Sequence, residues 1–389
     1  MENSNTTRPQ ISVIIVSYNC LHVLRFALDT LRQAMRNVAA EVIVVDNASA
    51  DGTADFLRGH YPWVRLLEHS NDGFGVANNV GIAAARGRII VLLNPDTIVP
   101  RTLLADVADH FERHPGSGAM GVRMINGRGR FLRESKRGYP SVGAAFFKVT
   151  GLWKLYRRSA TLNAYYLGNI SEFGQGPVPS LPGACMAFEA SILERTQAFD
   201  ENYFMYFEDT DLSWRMHNCS TGNIYRGDIT IVHFKGESTP ARLFYIRHFY
   251  NALRRFAACY ETPRHGALVN ALTWVGIRMW YAVRIMRCLM LQVQVKTECH
   301  NPRFRKIFFI SRNTDNPPVI QGTKATCTCC CDLHRLPQRR STLVVFDISG
   351  DLKTDFDTMN QFADKMTFGF FNPETRQTLV FHGTSCIVL

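Results

Sequence analysis

A bilayer-spanning helix takes about 20 consecutive apolar residues, and the apolar stretch at 266–293 does not supply them. It is broken by Arg278, Arg284 and Arg287, and its longest uncharged run, 266–277, has 12 residues. An interfacial or core helix is expected there instead. An apolar leader is also missing: the first ten residues, MENSNTTRPQ, are polar and lead directly into a strand-like run. The expected location is therefore cytoplasmic. Paired cysteine spacing is scarce. Of 11 cysteines, Cys20, Cys185, Cys219, Cys259, Cys288 and Cys299 stand singly, which excludes a disulfide scaffold and suits small buried residues in a reducing compartment. No glycine follows the first apolar run, where a dinucleotide fold needs its phosphate-binding turn. The place holds Ser17-Tyr18-Asn19-Cys20, and the Gly73-Phe74-Gly75 pair comes two strands later. There is no internal repeat.

What is present is a chain of 389 residues, 46% apolar and 20% charged. That suggests about two domains and ample material for a core. The net charge is +11, from 44 basic and 33 acidic residues. Between Lys235 and Lys306 stand 13 Lys/Arg and 3 Asp/Glu, so +10 of the excess lies there. A nucleic-acid binder would carry its basic residues with exposed aromatics and a reading motif; no nucleic-acid partner is expected. The local excess is either a solvated face or a surface for anionic lipid or a phosphorylated substrate.

Residues 11–110 alternate β-branched runs (ISVIIVS, EVIVVDN, VRLLEH, RIIVLLN) with helical patterns such as Leu21, Leu24, Leu28, Leu31. Continuous apolar strands separated by helices predict a parallel sheet covered on both faces. Ligands of such sheets bind beyond the strands' carboxyl ends. Those ends carry Ser17-Tyr18-Asn19, Asp46-Asn47 and Asn94-Pro95-Asp96. Two carboxylates at neighbouring strand ends can face one crevice, one accepting hydrogen bonds from a base or sugar and the other ligating a divalent cation that bridges a diphosphate. Each alone would read as a cap or turn residue. Further along, Glu208, Asp209 and Asp211 place three carboxylates in four positions, so at least one of them should hold its proton unusually tightly. One could deprotonate an attacking hydroxyl, or the cluster could simply favour a helix N-terminus. Arg215 lies one helical turn from Asp211. His233 follows a strand, and beside an acidic metal site it becomes a candidate ligand.

In order along about 230 residues, VIIVSYN (13–19), VVDNASADGT (44–53), NDGFGVANNVGI (71–82), LLNPDT (92–97), LPGACMAFE (181–189), YFEDTDLSWR (206–215) and HFKGES (233–238) resemble glycosyltransferase family 2, and within it the rhamnosyltransferase-like members. The resemblance implies an α/β, GT-A-type fold, a mostly parallel central sheet flanked by helices. It implies that Tyr18 and Asn19 line the nucleotide pocket and that Asp46 holds the base or ribose. Asn78 would sit near the base, in the loop after the third strand, and Gly183 would allow close backbone approach near the donor sugar. Asp96 would ligate Mg²⁺ or Mn²⁺, with His233 completing the metal site or touching the diphosphate. Asp209 would be the base, with Glu208 and Asp211 orienting it or the acceptor. The fold's general Asp-any-Asp signature is here Asn94-Pro95-Asp96, as in the rhamnosyltransferase-like branch, so the metal charge is less compensated.

The activity so implied is inverting, metal-dependent transfer of a sugar onto a saccharide or lipid-linked saccharide in cell-surface polysaccharide synthesis. The implied donor is dTDP-rhamnose, with UDP-sugars as the other option. The competing reading is a non-catalytic subunit that binds sugar nucleotide or saccharide. The expected organisation is a catalytic domain at 1–240 (nucleotide half 11–110, acceptor half 111–240) and a basic amphipathic helical segment at 241–298. A linker with the Cys-rich run CTCCC at 299–340 and a small, incomplete α/β unit at 341–389 would follow. Four-ligand zinc spacing is absent from CTCCC, so a linker is expected there. The basic segment would suit peripheral contact with an anionic membrane, at the inner face of the plasma membrane.

Overall fold

The computed structural model describes residues 8–235, 243–292, 306–310, 327–329, 342–350, 352–363, 365–382 and 385–388. The expected alternation is present at the start: β1 (Ile11–Ser17), α1 (Leu21–Ala34), β2 (Ala40–Asn47), α2 (Thr53–His60), β3 (Val64–His69), α3 (Phe74–Ala84) and β4 (Ile89–Leu93). Asp51 ties two helix starts together. One of its oxygens accepts the Leu21 N–H (2.9 Å), and the other accepts the Thr53 N–H and hydroxyl. Both bonds satisfy amides that open a helix without an intrahelical partner.

The chain continues through β5 (Thr97–Ile98), α4 (Leu103–Arg113), β6 (Met120–Ile125), α5 (Val142–Thr150), β7 (Gln175–Val178), β8 (Cys185–Glu189), α6 (Leu193–Thr196), α7 (Glu208–Asn218) and β9 (Asn223–His233). Among the described residues these strands form one nine-stranded sheet in the order β3-β2-β1-β4-β8-β6-β9-β5, with β7 paired to β9. The β3-β2-β1-β4 half is parallel, as expected. The other half is mixed, because β8 runs antiparallel to β4 and β6, and β5 and β7 run antiparallel to β9. Such reversals need no crossover helix, so the sequence pattern of strand, helix, strand is lost there. Leu24, Leu28 and Leu31 of α1 pack with Leu104, Val107 and Phe111 of α4 on one face. Ile14, Leu92, Met186, Leu212 and Met216 fill the other.

Two elements follow. α8 (Leu243–Phe256) and α9 (Ala267–Gln292) pack on each other, with Phe249 against Trp280 and Tyr250 against Tyr281. A second sheet then forms from β10 (Lys306–Ile310), β11 (Cys327–Cys329), β12 (Thr342–Asp347), β13 (Thr367–Asn372), β14 (Gln377–His382) and β15 (Ser385–Val388), with α10 (Leu352–Gln361) between β12 and β13. The segment 299–340 is therefore not a linker throughout. It contributes β10 and β11, and Cys327 and Cys329 stand on a strand; Cys330, Cys331 and His334 lie outside the described residues. The apolar runs FRKIFFIS and TLVVFDIS predict β10 and β12 as strands, whereas the three-residue β11 has no pattern of its own to mark it. The C-terminal unit also shares a core with the first domain. Phe234 packs against Phe370 and Phe381, and Ile98, Val232, Phe346 and Phe356 belong to the same apolar cluster.

Candidate functional site

The register Ser17↔Asp46 puts the ends of β1 and β2 level, and Ile14↔Leu92 brings the end of β4 to the same edge. Strands are about 4.8 Å apart, so the ends of β2 and β4 lie about 10 Å apart across β1. At the end of β2, Asp46 accepts the Ser49 N–H at 3.1 Å through Oδ2. Its Oδ1 and the Oδ1 of Asn47 are buried with no partner, while the Asn47 amide donates to Asn71 at 3.0 Å. Buried acceptors are rarely left unsatisfied; these two suit hydroxyl or N–H donors of a ligand. Asn19 is in the left-handed region at φ 50° and accepts the Ala50 N–H at 2.7 Å, which closes the β1 and β2 loops on each other. Ser17 is buried against Cys20, and Tyr18 stands 41% exposed at the rim. Asn78 departs from expectation: it lies inside α3, not in the preceding loop, and its amide donates to Phe74 O one turn back.

The second group is Asn94, Asp96 and His233. Thr97 pairs with His233 across β5 and β9, which brings His233 beside Asp96. His233 Nε2 is 3.2 Å from Asp96 Oδ1 and 3.3 Å from Asn94 Nδ2, and His233 Nδ1 is buried without a partner. Neighbouring ligands of an octahedral Mg²⁺ or Mn²⁺ shell, each about 2.1 Å from the ion, sit about 3 Å apart. The carboxylate and imidazole therefore fit a divalent cation. No third His, Cys, Asp or Glu joins them among the described residues, so diphosphate oxygens and water would have to complete the shell.

The third group starts α7. Tyr206 (φ 72°) and Phe207 (φ 66°) both take the left-handed conformation, which costs a side-chain-bearing residue about 1–3 kcal/mol. Ring contacts with Phe249 and Phe256 of α8 hold them there. The turn delivers Asp209 to Arg137, which donates to its Oδ2 at 2.6 Å, and to the Gly183 N–H at 3.0 Å. Thr210 Oγ1 donates to Oδ1 at 3.1 Å. A Cβ on Gly183 would stand 3.3 Å from Asp209 Cβ, so the close approach expected of this glycine is made to Asp209. The Asn94 N–H donates to Ala184 O at 3.0 Å, next to Gly183, which places this group against the second.

The cluster's three acids have different fates. Asp211 does not face Asp209. Its Oδ2 accepts Arg215 at 2.9 and 2.7 Å, its Oδ1 accepts the Tyr260 hydroxyl, and Arg215 donates onward to Ala198 O. It braces α7. Arg137, 72 residues upstream in a segment without periodicity, neutralises Asp209. Nothing local in the sequence singles it out, although three clustered carboxylates imply more than one nearby cation. Glu208 is left buried with Oε2 unpartnered. Burial, and then the charge of Asp209, push its pKa from 4.5 up to about 8.

Glu208 therefore keeps a proton in the folded chain that the unfolded chain releases above about pH 4.5. Stability should fall as pH rises from that value to about 8, where the buried charge must form. Thermal unfolding scanned over this interval should show the decline, and Glu208→Gln should flatten it and raise the midpoint at pH 8. An unchanged slope in the variant would assign the pH dependence elsewhere.

The sequence profile of the family described as Glycosyl transferase family 2 matches residues 12–196. N-acetylglucosaminyl-diphospho-decaprenol L-rhamnosyltransferase of Mycobacterium tuberculosis is 28% identical over 242 residues, 59% of this chain and 77% of that one. A low-salt glycan biosynthesis hexosyltransferase of Haloferax volcanii is 24% identical over 216 residues, 54% of this chain and 62% of that one. Among solved structures, a mannosyltransferase from Pyrobaculum calidifontis in complex with GDP-Man and Mn²⁺ is similar at 21% identity and a TM-score of 0.46, over 75% of this chain and 77% of that one.

Proposed function

We propose, from the premise that this chain is a glycosyltransferase with a family 2 domain of GT-A type over residues 12–196, that it transfers a sugar from a nucleoside diphosphate donor with inversion. One observation carries the reading: unpartnered buried acceptors on Asp46 and Asn47 and the Asp96–His233 pair line one sheet edge, beside an Asp209 held by fixed donors. Asp46 and Asn47 would take hydrogen bonds from the base or ribose, with Ser17, Tyr18 and Asn19 forming the adjoining wall. Asp96 and His233 would hold Mg²⁺ or Mn²⁺, whose chemistry when bound is to offset the charge growing on the leaving diphosphate.

Asp209 acts on the acceptor. Each carboxylate oxygen has two lone pairs. Arg137 and Gly183 occupy Oδ2, and Thr210 takes one site on Oδ1. The remaining Oδ1 site would receive the hydroxyl proton as the acceptor oxygen attacks the anomeric carbon. With Oδ2 held by two donors, the carboxylate cannot rotate away, and that fixed geometry supplies much of the acceleration. A single displacement from the face opposite the diphosphate inverts the carbon.

The similarity to the mycobacterial rhamnosyltransferase favours dTDP-rhamnose as donor, ahead of UDP-sugars, and a saccharide or lipid-linked saccharide as acceptor. The setting so proposed is the cytoplasmic side, in peripheral contact with the inner face of the plasma membrane. A donor screen tests this. Nucleoside diphosphate release should be greatest from dTDP-rhamnose, should need Mn²⁺ or Mg²⁺, and should rise when lipid extract is supplied as acceptor. No metal-dependent release from any dTDP-, UDP- or GDP-sugar would favour the non-catalytic binding subunit.

A further inference from the structure

α9 is 26 residues long, about 39 Å, and one side of it is exposed, with no covering element among the described residues. Trp274, Trp280 and Tyr281 face α8. On the other side Leu268 (75% exposed), Leu272 (64%), Val275 (59%), Met279 (66%), Met286 (50%) and Met290 (62%) stand in solvent. At 100° per residue these six fall within a sector of about 60°, and Arg278 and Arg287 lie about 90° to either side of its centre. Both arginines are exposed. No acidic residue occurs anywhere on the helix. Among the described residues no helix is long and apolar enough to cross a membrane.

We propose that α9 lies in the headgroup layer of an anionic phospholipid bilayer, with this apolar stripe inserted and Arg278 and Arg287 on lipid phosphates. Resting on the peripheral contact proposed above, this names the surface that makes it. An in-plane helix needs an apolar face with cationic flanks, and its arginines can reach phosphates from its edges. A second copy of the chain is the less suitable occupant. Paired helices select partners by opposite charges beside the seam, and α9 would set arginine against arginine. The placement has a consequence for catalysis. α8 connects α9 to the site through Phe249, which touches Trp280 on one side and Tyr206 and Phe207 on the other. Asp209 follows two residues later. An acceptor anchored in the same bilayer would thus meet the base close to the lipid surface.

Flotation of the full chain with phosphatidylglycerol/phosphatidylcholine vesicles, without donor or acceptor, tests this apart from activity. The chain should float at low salt and less so at high salt or with phosphatidylcholine alone. Leu272→Glu with Met279→Glu should lower the bound fraction about tenfold or more, since each removes one inserted apolar side chain. Arg278→Glu with Arg287→Glu should abolish the preference for anionic lipid. Both double variants should release nucleoside diphosphate at the parent rate with a water-soluble acceptor, so failure of the glycosyltransfer reading would appear in that assay alone. Failure of the parent chain to float, or equal flotation of the Leu272/Met279 variant, overturns the proposal. So does a dimer in light scattering that the same variant splits while no vesicle binding is seen.

Discussion

Asp209→Asn is expected to stop sugar transfer while leaving donor affinity within a few-fold of the parent chain's. The amide is close in shape and can still accept the Gly183 N–H, so the backbone approach at 183 survives. What disappears is a group able to take a proton, together with the ion pair to Arg137. General base contributions are about 10²–10⁴-fold, and kcat should fall within that range. The donor pocket proposed at the ends of β1, β2 and β4 shares no hydrogen bond with this carboxylate, so a nucleotide titration should change little. Arg137→Lys gives a second reading of the same site. It keeps the charge but loses the planar guanidinium that also donates to Leu181 O, so kcat should fall with less change in donor KM. Normal turnover by the Asn variant would remove Asp209 from the role of base.

Asp96→Ala should be comparably severe for a different reason. The side chain supplies the one carboxylate of the candidate cation pair and stands 3.2 Å from His233. Charge stabilisation of a leaving diphosphate amounts to several kcal/mol, so the rate should fall about 10³-fold. Mn²⁺ titrated into the chain with nucleoside diphosphate, followed by electron paramagnetic resonance, should show tight binding in the parent and much weaker binding in the variant. His233→Ala should weaken Mn²⁺ less, because it removes a neutral ligand. Parent-like Mn²⁺ affinity in Asp96→Ala would place the cation elsewhere.

These residues differ in how far they could be read from the sequence. Asp46, Asp96 and the strands before them are local facts: an apolar run ends and a polar residue follows, and a parallel sheet must put such ends on one edge. That one of the acids at 208–211 should keep a proton also followed from local crowding of charge, but burial, the larger cause, is what selects Glu208. Arg215, one helical turn from Asp211, was legible as its partner and does pair with it, whereas Arg137 and Tyr260 were not, since each meets its carboxylate across tens of residues of sequence. Asn78 falls inside the helix that the sequence pattern predicts from Phe74, and its placement in a loop came from the resemblance alone.

Hydrophobic periodicity and strand-end chemistry, both local, were enough to set the parallel half of the first domain's sheet and to put Asp46 and Asp96 at one edge of it, while the acids at 208–211 were visible as crowded charge. Tertiary structure alone decided which acid is neutralised, braced or left protonated, because that depends on where distant cations come to rest. It also decided that the C-terminal strands join the first domain's core and that the stripe on α9 is exposed among the described residues. Such contacts are set by how packed surfaces meet in space, and no short window of sequence contains both sides of them.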